Sequence, residues 1–187
     1  MRDFQQLYSG DLARYKNVSV WNRLFHYYLR KTQTCGNSLL KTCYHLCFRL
    51  IGDRHRMEIS HGARIGKGLY LPNPFSVTIN SNAVLGENVS LGKNVTIGKQ
   101  NRGVFAGSPT IGDNVAIGDN AVIAGRITIG NNVTIAANAY VNRDVPDNAE
   151  VLGNPAVMRE KVWISGDRNK DQGSRIASVI HDYIDGQ

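Results

Sequence analysis

Two short segments of the sequence concentrate side chains that can bind a ligand. In residues 72–76 the amide of Asn73 lies between two prolines, and residues 99–109 hold Lys99, Arg102 and Phe105 among glycines. An amide side chain can hydrogen-bond a polar ligand, but it has no lone pair that accepts a proton near neutral pH. Lysine and arginine side chains donate charge-assisted hydrogen bonds to anionic groups such as phosphates. The two segments therefore favour a polar ligand that carries anionic groups.

A six-residue repeat between Ile59 and Pro146 predicts the elements that position these segments. Seven blocks begin with an aliphatic residue followed by glycine, at Ile65, Leu85, Leu91, Ile97, Ile111, Ile117 and Ile129. In most blocks a small or apolar residue comes four positions later, and an asparagine precedes it at Asn82, Asn88, Asn94, Asn114, Asn120, Asn132 and Asn138. Strands have period two and helices 3.6, so a period of six indicates a coil that turns a corner every six residues and stacks on itself. The pattern predicts a parallel β-helix of triangular cross-section, with aliphatic side chains inside and asparagine or glycine at corners that require positive φ.

Both candidate segments interrupt this repeat. Eight residues instead of six separate Leu71 from Ile79, and fourteen instead of twelve separate Ile97 from Ile111. A β-helix has no interior space for a ligand, so function must lie on its faces, edges and protruding loops. The alternative is that both interruptions are tolerated surface insertions, but the prolines and the basic cluster favour a functional site.

Residues 1–56 have helical rather than six-residue spacing. Apolar residues predict two helices around Phe4–Tyr15 and Trp21–Leu29, and a third that begins near Asn37 and ends at Gly52. The third helix is apolar on most of its circumference and must be covered by the other helices, by another subunit or by a membrane surface. Subunit packing is the preferred prediction, and peripheral membrane contact is the alternative that the flanking basic residues support.

Charge and cysteine content narrow the function classes. The net charge is +7, but the basic residues are scattered and the repeat holds few aromatics, so a phosphate-bearing cofactor is favoured and nucleic acid is not predicted. Three cysteines, Cys35, Cys43 and Cys47, have no disulfide-framework spacing, and no histidine pair accompanies them to make a metal site. With no signal peptide or long apolar run, a cytoplasmic protein without a metal is expected.

From Glu58 to Pro155 the sequence resembles the hexapeptide-repeat acyltransferases, in particular serine acetyltransferases and the related capsule and exopolysaccharide O-acetyltransferases. The similar segments are Ile65-Gly66-Lys67-Gly68, Val95-Thr96-Ile97-Gly98, residues 109–115, residues 127–130, Asp144-Val145-Pro146 and residues 151–156. The resemblance implies a left-handed β-helix, which is an exception to the usual right-handed crossover. It also implies acetyl-CoA as co-substrate, direct acetyl transfer to a hydroxyl, and a homotrimer with sites shared between subunits.

The resemblance also assigns catalytic positions, and here the sequence departs from the family. Glu58 occupies the position of a carboxylate that orients the catalytic histidine, but the histidine position is Asn73, and a second family histidine corresponds to Ser108. Three hypotheses follow: position 73 has been changed from histidine, another group is the base, or the chain is a weak or non-catalytic relative. His61 is the nearest alternative base, although an outward-facing histidine is more often only solvated.

The cofactor positions that the resemblance implies lie in the later repeats and the tail. They are Lys99, Asp119 and Ala137 along the pantetheine path, with the small residue Ala124 beside it. Arg126, Arg143, Arg159 and Lys161 are candidates for the phosphates because of their charge, and the alternative for each is a solvated surface charge. Small residues allow close approach of the cofactor, and the cations suit its phosphates.

The sequence therefore predicts an all-β left-handed parallel β-helix (57–158) after a short α-helical segment (1–56), with a tail at 159–187 that includes a short helix near Ile176–Ile184. The expected function is acetyl-CoA-dependent O-acetylation of a sugar hydroxyl in surface polysaccharide synthesis, at the inner face of the membrane or free in the cytoplasm. The short helical segment, and the similarity of Asp11–Tyr15 to the openings of capsule-cluster proteins, favour the sugar. The alternatives are a serine O-acetyltransferase and a non-catalytic β-helix protein.

Overall fold

The computed structural model describes residues 4–160, which begin with three helices. These are α1 (Phe4–Leu12), α2 (Val20–Thr34) and α3 (Ser38–Asp53). The Asn37 side chain accepts the N–H groups of Leu39 and Leu40 at 3.0 and 3.2 Å, so the predicted start of the third helix is confirmed. The helix ends one residue later than predicted, because the Gly52 carbonyl accepts the N–H groups of His55 and Met57 and the chain turns only after Asp53.

Short strands follow and stack into three parallel sheets. Sheet 1 contains β1 (Glu58–Ile59), β3 (Thr78–Ile79), β6 (Thr96–Gly98), β9 (Val122–Ala124) and β12 (Tyr140–Val141). Sheet 2 contains β2 (Arg64–Ile65), β4 (Val84–Leu85), β7 (Thr110–Ile111) and β10 (Thr128–Ile129). Sheet 3 contains β5 (Ser90–Leu91), β8 (Ala116–Ile117), β11 (Thr134–Ile135) and β13 (Ala149–Leu152), with β14 (Val157–Glu160) antiparallel at its end. The chain passes from sheet 1 to sheet 2 to sheet 3 and back, and we call the corners of this prism the 1–2, 2–3 and 3–1 edges.

The sequence pattern explains the interior and the corners of the prism. The aliphatic residue that opens each block is buried, from Ile65 in the first coil to Ile129 near the end. Seven corner asparagines have φ between 56 and 60°: Asn88, Asn94, Asn114, Asn120, Asn132, Asn138 and Asn148. Asn82 is the exception, because its corner closes through the Asn80 side chain, which accepts the Asn82 N–H at 3.1 Å. The predicted left-handed β-helix, preceded by an N-terminal helical segment, is confirmed.

A buried ionic network fastens the helices to the first coil. Asp11 and Arg30 are fully buried, and two guanidinium nitrogens donate to the Asp11 carboxylate at 2.7 Å each. The same carboxylate accepts the N–H groups of Gly68 and Leu69 at 2.9 and 3.0 Å. Burial acts to raise the pKa of Asp11, but the hydrogen bonds and positive charges of His26 and Arg30 outweigh it, and the pKa lies below its usual value.

Two predicted features of the C-terminal tail cannot be compared with the structure. Lys161 and the predicted tail helix near Ile176–Ile184 lie outside the described residues. None of the helices within residues 4–160 has both the length and the apolar character needed to cross a membrane.

Candidate functional site

Asn73 and Glu58 lie at the same end of the prism, beside the first strand of sheet 1. Asn73 is exposed in the segment that turns the 3–1 edge between Leu71 and Thr78. Glu58 is exposed on β1, and its N–H donates at 2.8 Å to the carbonyl of Val77, at the end of that segment. The structure therefore brings the predicted carboxylate and the segment of position 73 to one place, and an amide stands there instead of a titratable group.

The start of the Asn73 segment is held by side chains that sequence reasoning did not assign to the site. The Leu71 N–H donates to the Tyr15 hydroxyl at 3.0 Å, and this hydroxyl lies 3.1 Å from His26 Nε2. Because the ionised Asp11 carboxylate can only accept, His26 Nδ1–H donates a hydrogen bond to it at 3.0 Å, which directs Nε2 toward Tyr15. Burial raises the pKa of Tyr15, so the hydroxyl keeps its proton.

The segment Asp11–Tyr15 is similar in sequence to the openings of capsule-cluster proteins, but residue spacing does not predict its contacts. Asp11 binds backbone groups that are 57 and 58 positions away, and Arg14 donates to the carbonyl of Gly68 at 2.9 Å. The motif thus fixes the chain that leads into position 73.

Residues 99–109 form a loop on the 1–2 edge, folded back on the next coil. Gln100 and Gly107 exchange backbone hydrogen bonds of 2.9 and 2.8 Å at its base, and the Arg126 N–H donates to the Phe105 carbonyl at 2.7 Å. Gly107 and Gly125 have φ of 139 and 103°, and a Cβ at Gly107 would lie 2.8 Å from Arg126 Cβ. The glycines therefore allow the loop to pack closely against the prism.

Ser108, which stands at the second family histidine position, is turned toward the prism. Its Oγ donates to Asn80 Oδ1 at 2.9 Å, in a partly buried contact. This contact occupies the hydroxyl and holds the end of the loop against the preceding coil.

His61, the alternative base, lies on the 1–2 edge, across sheet 1 from Asn73 in the same chain. Its ring is 5.1 Å from that of His45 on α3. Burial lowers the pKa of His45, and the neighbouring His61 and Arg49 lower it further. Within residues 4–160, His45 Nδ1 is buried without a hydrogen-bond partner. Within one chain, His61 is therefore grouped with α3 and not with position 73.

The structure divides the predicted cofactor residues between the two edges of sheet 1. Gly98 pairs with Ala124, so exposed Lys99 lies on the 1–2 edge, which the later coils continue with Arg126 and Arg143. Asp119 and Ala137 follow strands of sheet 3 and lie on the 3–1 edge, in adjacent coils. A single chain does not bring all of these residues to one surface.

Asp119 has a structural role beside any contact with a cofactor. Its Oδ1 accepts the Lys93 N–H at 3.0 Å, and its Oδ2 lies 3.8 Å from Lys93 Nζ. Asp113 makes the same kind of contact with the Glu87 N–H at 2.6 Å on the 2–3 edge. Carboxylates at corners therefore connect successive coils.

Among residues 4–160 no group of three or more side chains from histidine, cysteine, aspartate and glutamate forms a metal-binding cluster.

Comparison with known proteins agrees with this architecture. The profile of the bacterial transferase hexapeptide family (six repeats) matches residues 108–143. A soybean serine acetyltransferase in complex with serine superposes with a TM-score of 0.72 and 27% identity, over 83% of this chain and 69% of that one. A Neisseria gonorrhoeae serine acetyltransferase gives 0.68 and 26%, over 90% and 69%. A serine acetyltransferase in complex with CoA shares the fold, with a TM-score of 0.67 and 23% identity over 83% and 67%.

No curated protein sequence matches the chain significantly. The structural likeness nevertheless extends through the helices and the coils, since it covers more than four fifths of the chain in each of these comparisons. The chain is thus a left-handed β-helix protein that matches the bacterial transferase hexapeptide repeats over residues 108–143 and is similar in structure to the serine acetyltransferases.

Proposed function

We propose that this protein is an acetyl-CoA-dependent O-acetyltransferase whose acceptor is serine or a similarly small hydroxyl compound. The observation that supports it most is the similarity, at 27% identity over 83% of the chain, to an acetyltransferase structure that contains serine. A relative with the same fold is bound to CoA. These findings favour serine over the sugar acceptor that the sequence suggested first.

The proposed reaction breaks the thioester C–S bond of acetyl-CoA and forms an ester bond to the acceptor oxygen. The hydroxyl must lose its proton, and the CoA sulfur must gain one. A positioned base contributes about 10²–10⁴ to the rate of such a step. Asn73 can hydrogen-bond the acceptor hydroxyl but cannot take its proton, so this site holds its ligands while turning over slowly.

The division of the cofactor residues supports a site shared between copies of the chain. Lys99 and Arg126 lie on one edge of sheet 1, whereas Asp119 and Ala137 lie on the other. If neighbouring prisms pack edge to edge in a ring, the 1–2 edge of one copy faces the 3–1 edge of the next. A homotrimer of this kind completes the cofactor groove and is part of the proposal, as is a cytoplasmic location, where acetyl-CoA is available and thiols stay reduced.

Position 108 supports a second candidate, acetylation of a sugar hydroxyl in capsular or exopolysaccharide synthesis. The serine enzymes are expected to have a histidine there, whereas Ser108 binds Asn80. An acceptor pocket without this histidine differs from that of a serine enzyme, which leaves room for another hydroxyl compound.

The test measures CoA release from acetyl-CoA with serine and with a panel of sugars at pH 7.5. Asn73→His should raise the rate with the true acceptor by about two orders of magnitude, because it restores a base beside Glu58. Asn17→His, at an exposed asparagine between α1 and α2, is the matched control and should change nothing.

Four outcomes separate the hypotheses. A rise with serine supports the main proposal, and a rise only with a sugar supports the second candidate. Equal rates for the chain with Asn73 and for Asn73→His would place the base elsewhere, with His61→Gln as the next variant. If neither protein binds acetyl-CoA in calorimetry, the chain is a non-catalytic β-helix protein.

A further inference from the structure

Helix α3 presents an apolar face that nothing in the described chain covers. Leu39, Leu46 and Leu50 are 77, 59 and 66% exposed, and Cys43 is exposed between them. Positions 39, 43, 46 and 50 fall on one side of an α-helix, because spacings of three and four residues return to the same face. The face is therefore a continuous stripe about three turns long.

The opposite side of α3 attaches the helix to the rest of the molecule. Phe48 and Gly52 are buried, and the Phe48 ring lies 5.2 Å from that of Phe25 on α2. The exposed leucines are consequently not needed to pack α3. Leucines that are 59–77% exposed add little to the stability of the fold, so their concentration on one face points to a partner.

Basic residues border the apolar stripe. Arg49 and Arg54 are exposed at its sides and C-terminal end, and Arg56 is exposed just beyond. Asp53 is the single acidic residue of the helix. Val20, the first residue of α2, is also 74% exposed.

We infer that α3 docks on an anionic phospholipid bilayer, lying parallel to the surface with its leucines among the acyl chains. An apolar stripe with a basic rim is what an interfacial helix requires, since leucine burial and attraction of arginine to anionic headgroups act together. A second copy of the chain that presented its own α3 would offer the same basic rim and one aspartate per helix, so charge complementarity favours the lipid surface over an α3–α3 contact. This inference is independent of the reaction at position 73.

The test is flotation of the full-length protein with vesicles of phosphatidylcholine alone or with 30% phosphatidylglycerol. Binding should be found with the anionic vesicles, and Leu46→Ser/Leu50→Ser should weaken it at least about tenfold. Arg49→Gln/Arg54→Gln should weaken it roughly 25-fold, at about fivefold for each arginine near an anionic surface. The control for the leucine variant is Val157→Ser, which changes an apolar residue of the last strand that is 65% exposed. The control for the arginine variant is Arg102→Gln/Arg143→Gln, which removes the same number of positive charges from the loop and the last coil.

A second readout shows which surface is buried. Anionic vesicles should protect Cys43 from a soluble maleimide in the otherwise unchanged protein, while neutral vesicles should not. Flotation that is equal for both lipid mixtures, or that the leucine variant leaves unchanged, would overturn the inference. So would protection of Cys43 without lipid that disappears on dilution, because the face would then bind a second copy of the chain.

Discussion

The buried pair of Asp11 and Arg30 yields the sharpest stability prediction. Asp11→Asn keeps the side-chain volume but leaves the guanidinium of Arg30 buried without a counter-charge, and it places an amide N–H₂ among donors. Breaking a buried ion pair by removing one partner costs roughly 3–5 kcal/mol in the free energy of unfolding. For a chain of 187 residues this corresponds to a fall in Tm of about 6–20 °C.

The assay is thermal and urea unfolding followed by circular dichroism at pH 7. The control is Glu87→Gln, which breaks a surface pair of 3.2 Å between side chains that are about half exposed, and it should cost at most about 1 kcal/mol. Asp11→Asn/Arg30→Met should cost less than the sum of the two single changes, because no unpaired charge remains. A fall in Tm below about 3 °C for Asp11→Asn would refute the reasoning.

The pH dependence of the folding stability follows from the direction of the pKa shift of Asp11. The folded-state pKa of Asp11 is below its unfolded value, so its ionised form contributes stability that is present above the unfolded pKa of about 3.9. This contribution is lost as the pH falls through the folded-state pKa. Unfolding between pH 6 and pH 2.5 should therefore show an acid loss of stability in the natural chain that is smaller in Asp11→Asn.

Three further predictions concern the corners and the loop. Asn114→Val should lower the free energy of unfolding by about 1–3 kcal/mol, measured by urea titration, because a β-branched residue at φ of 56° is strained. Gly125→Ala should increase proteolysis within residues 99–109 and lower the free energy of unfolding by about 1–3 kcal/mol, because φ is 103° there and the new Cβ would lie 3.0 Å from the Phe105 carbonyl. Arg126→Ala/Arg143→Ala should weaken acetyl-CoA binding about tenfold in calorimetry, with salt reducing the difference, if these cations bind its phosphates.

The sequence predicted the parts of the fold that local chemistry decides. A buried aliphatic position and a corner asparagine with positive φ recur in most blocks because the coils meet the same steric demand, and Asn82 departs where Asn80 closes the turn instead. The start of α3 was equally local, since a single Asn37 side chain caps it.

The arrangement of the candidate site was not predictable in this way. The stacking of coils decides on which edge of the prism a residue lies. The loop at residues 99–109 adds residues to one coil, so Ile97 pairs with Ile123 and not with the residue that follows it by three blocks of six. The contacts of Asp11 and Tyr15 with the first coil join residues more than fifty positions apart, and no periodic pattern signals them. Sequence reasoning also had no means of showing that Lys99 and Asp119 lie on different edges.

The two proposals meet at one end of the molecule. Helix α3 contacts β1, which holds Glu58, and the Tyr15 hydroxyl holds Leu71 just before Asn73. Docking of α3 on a bilayer would therefore fix the distance of position 73 from the lipid surface. A freely diffusing acceptor such as serine gains nothing from that distance, whereas an acceptor attached to a lipid gains effective concentration. Lipid binding that α3 mediates would thus favour the second candidate only if its sugar is attached to a lipid, whereas acetylation of serine does not depend on it.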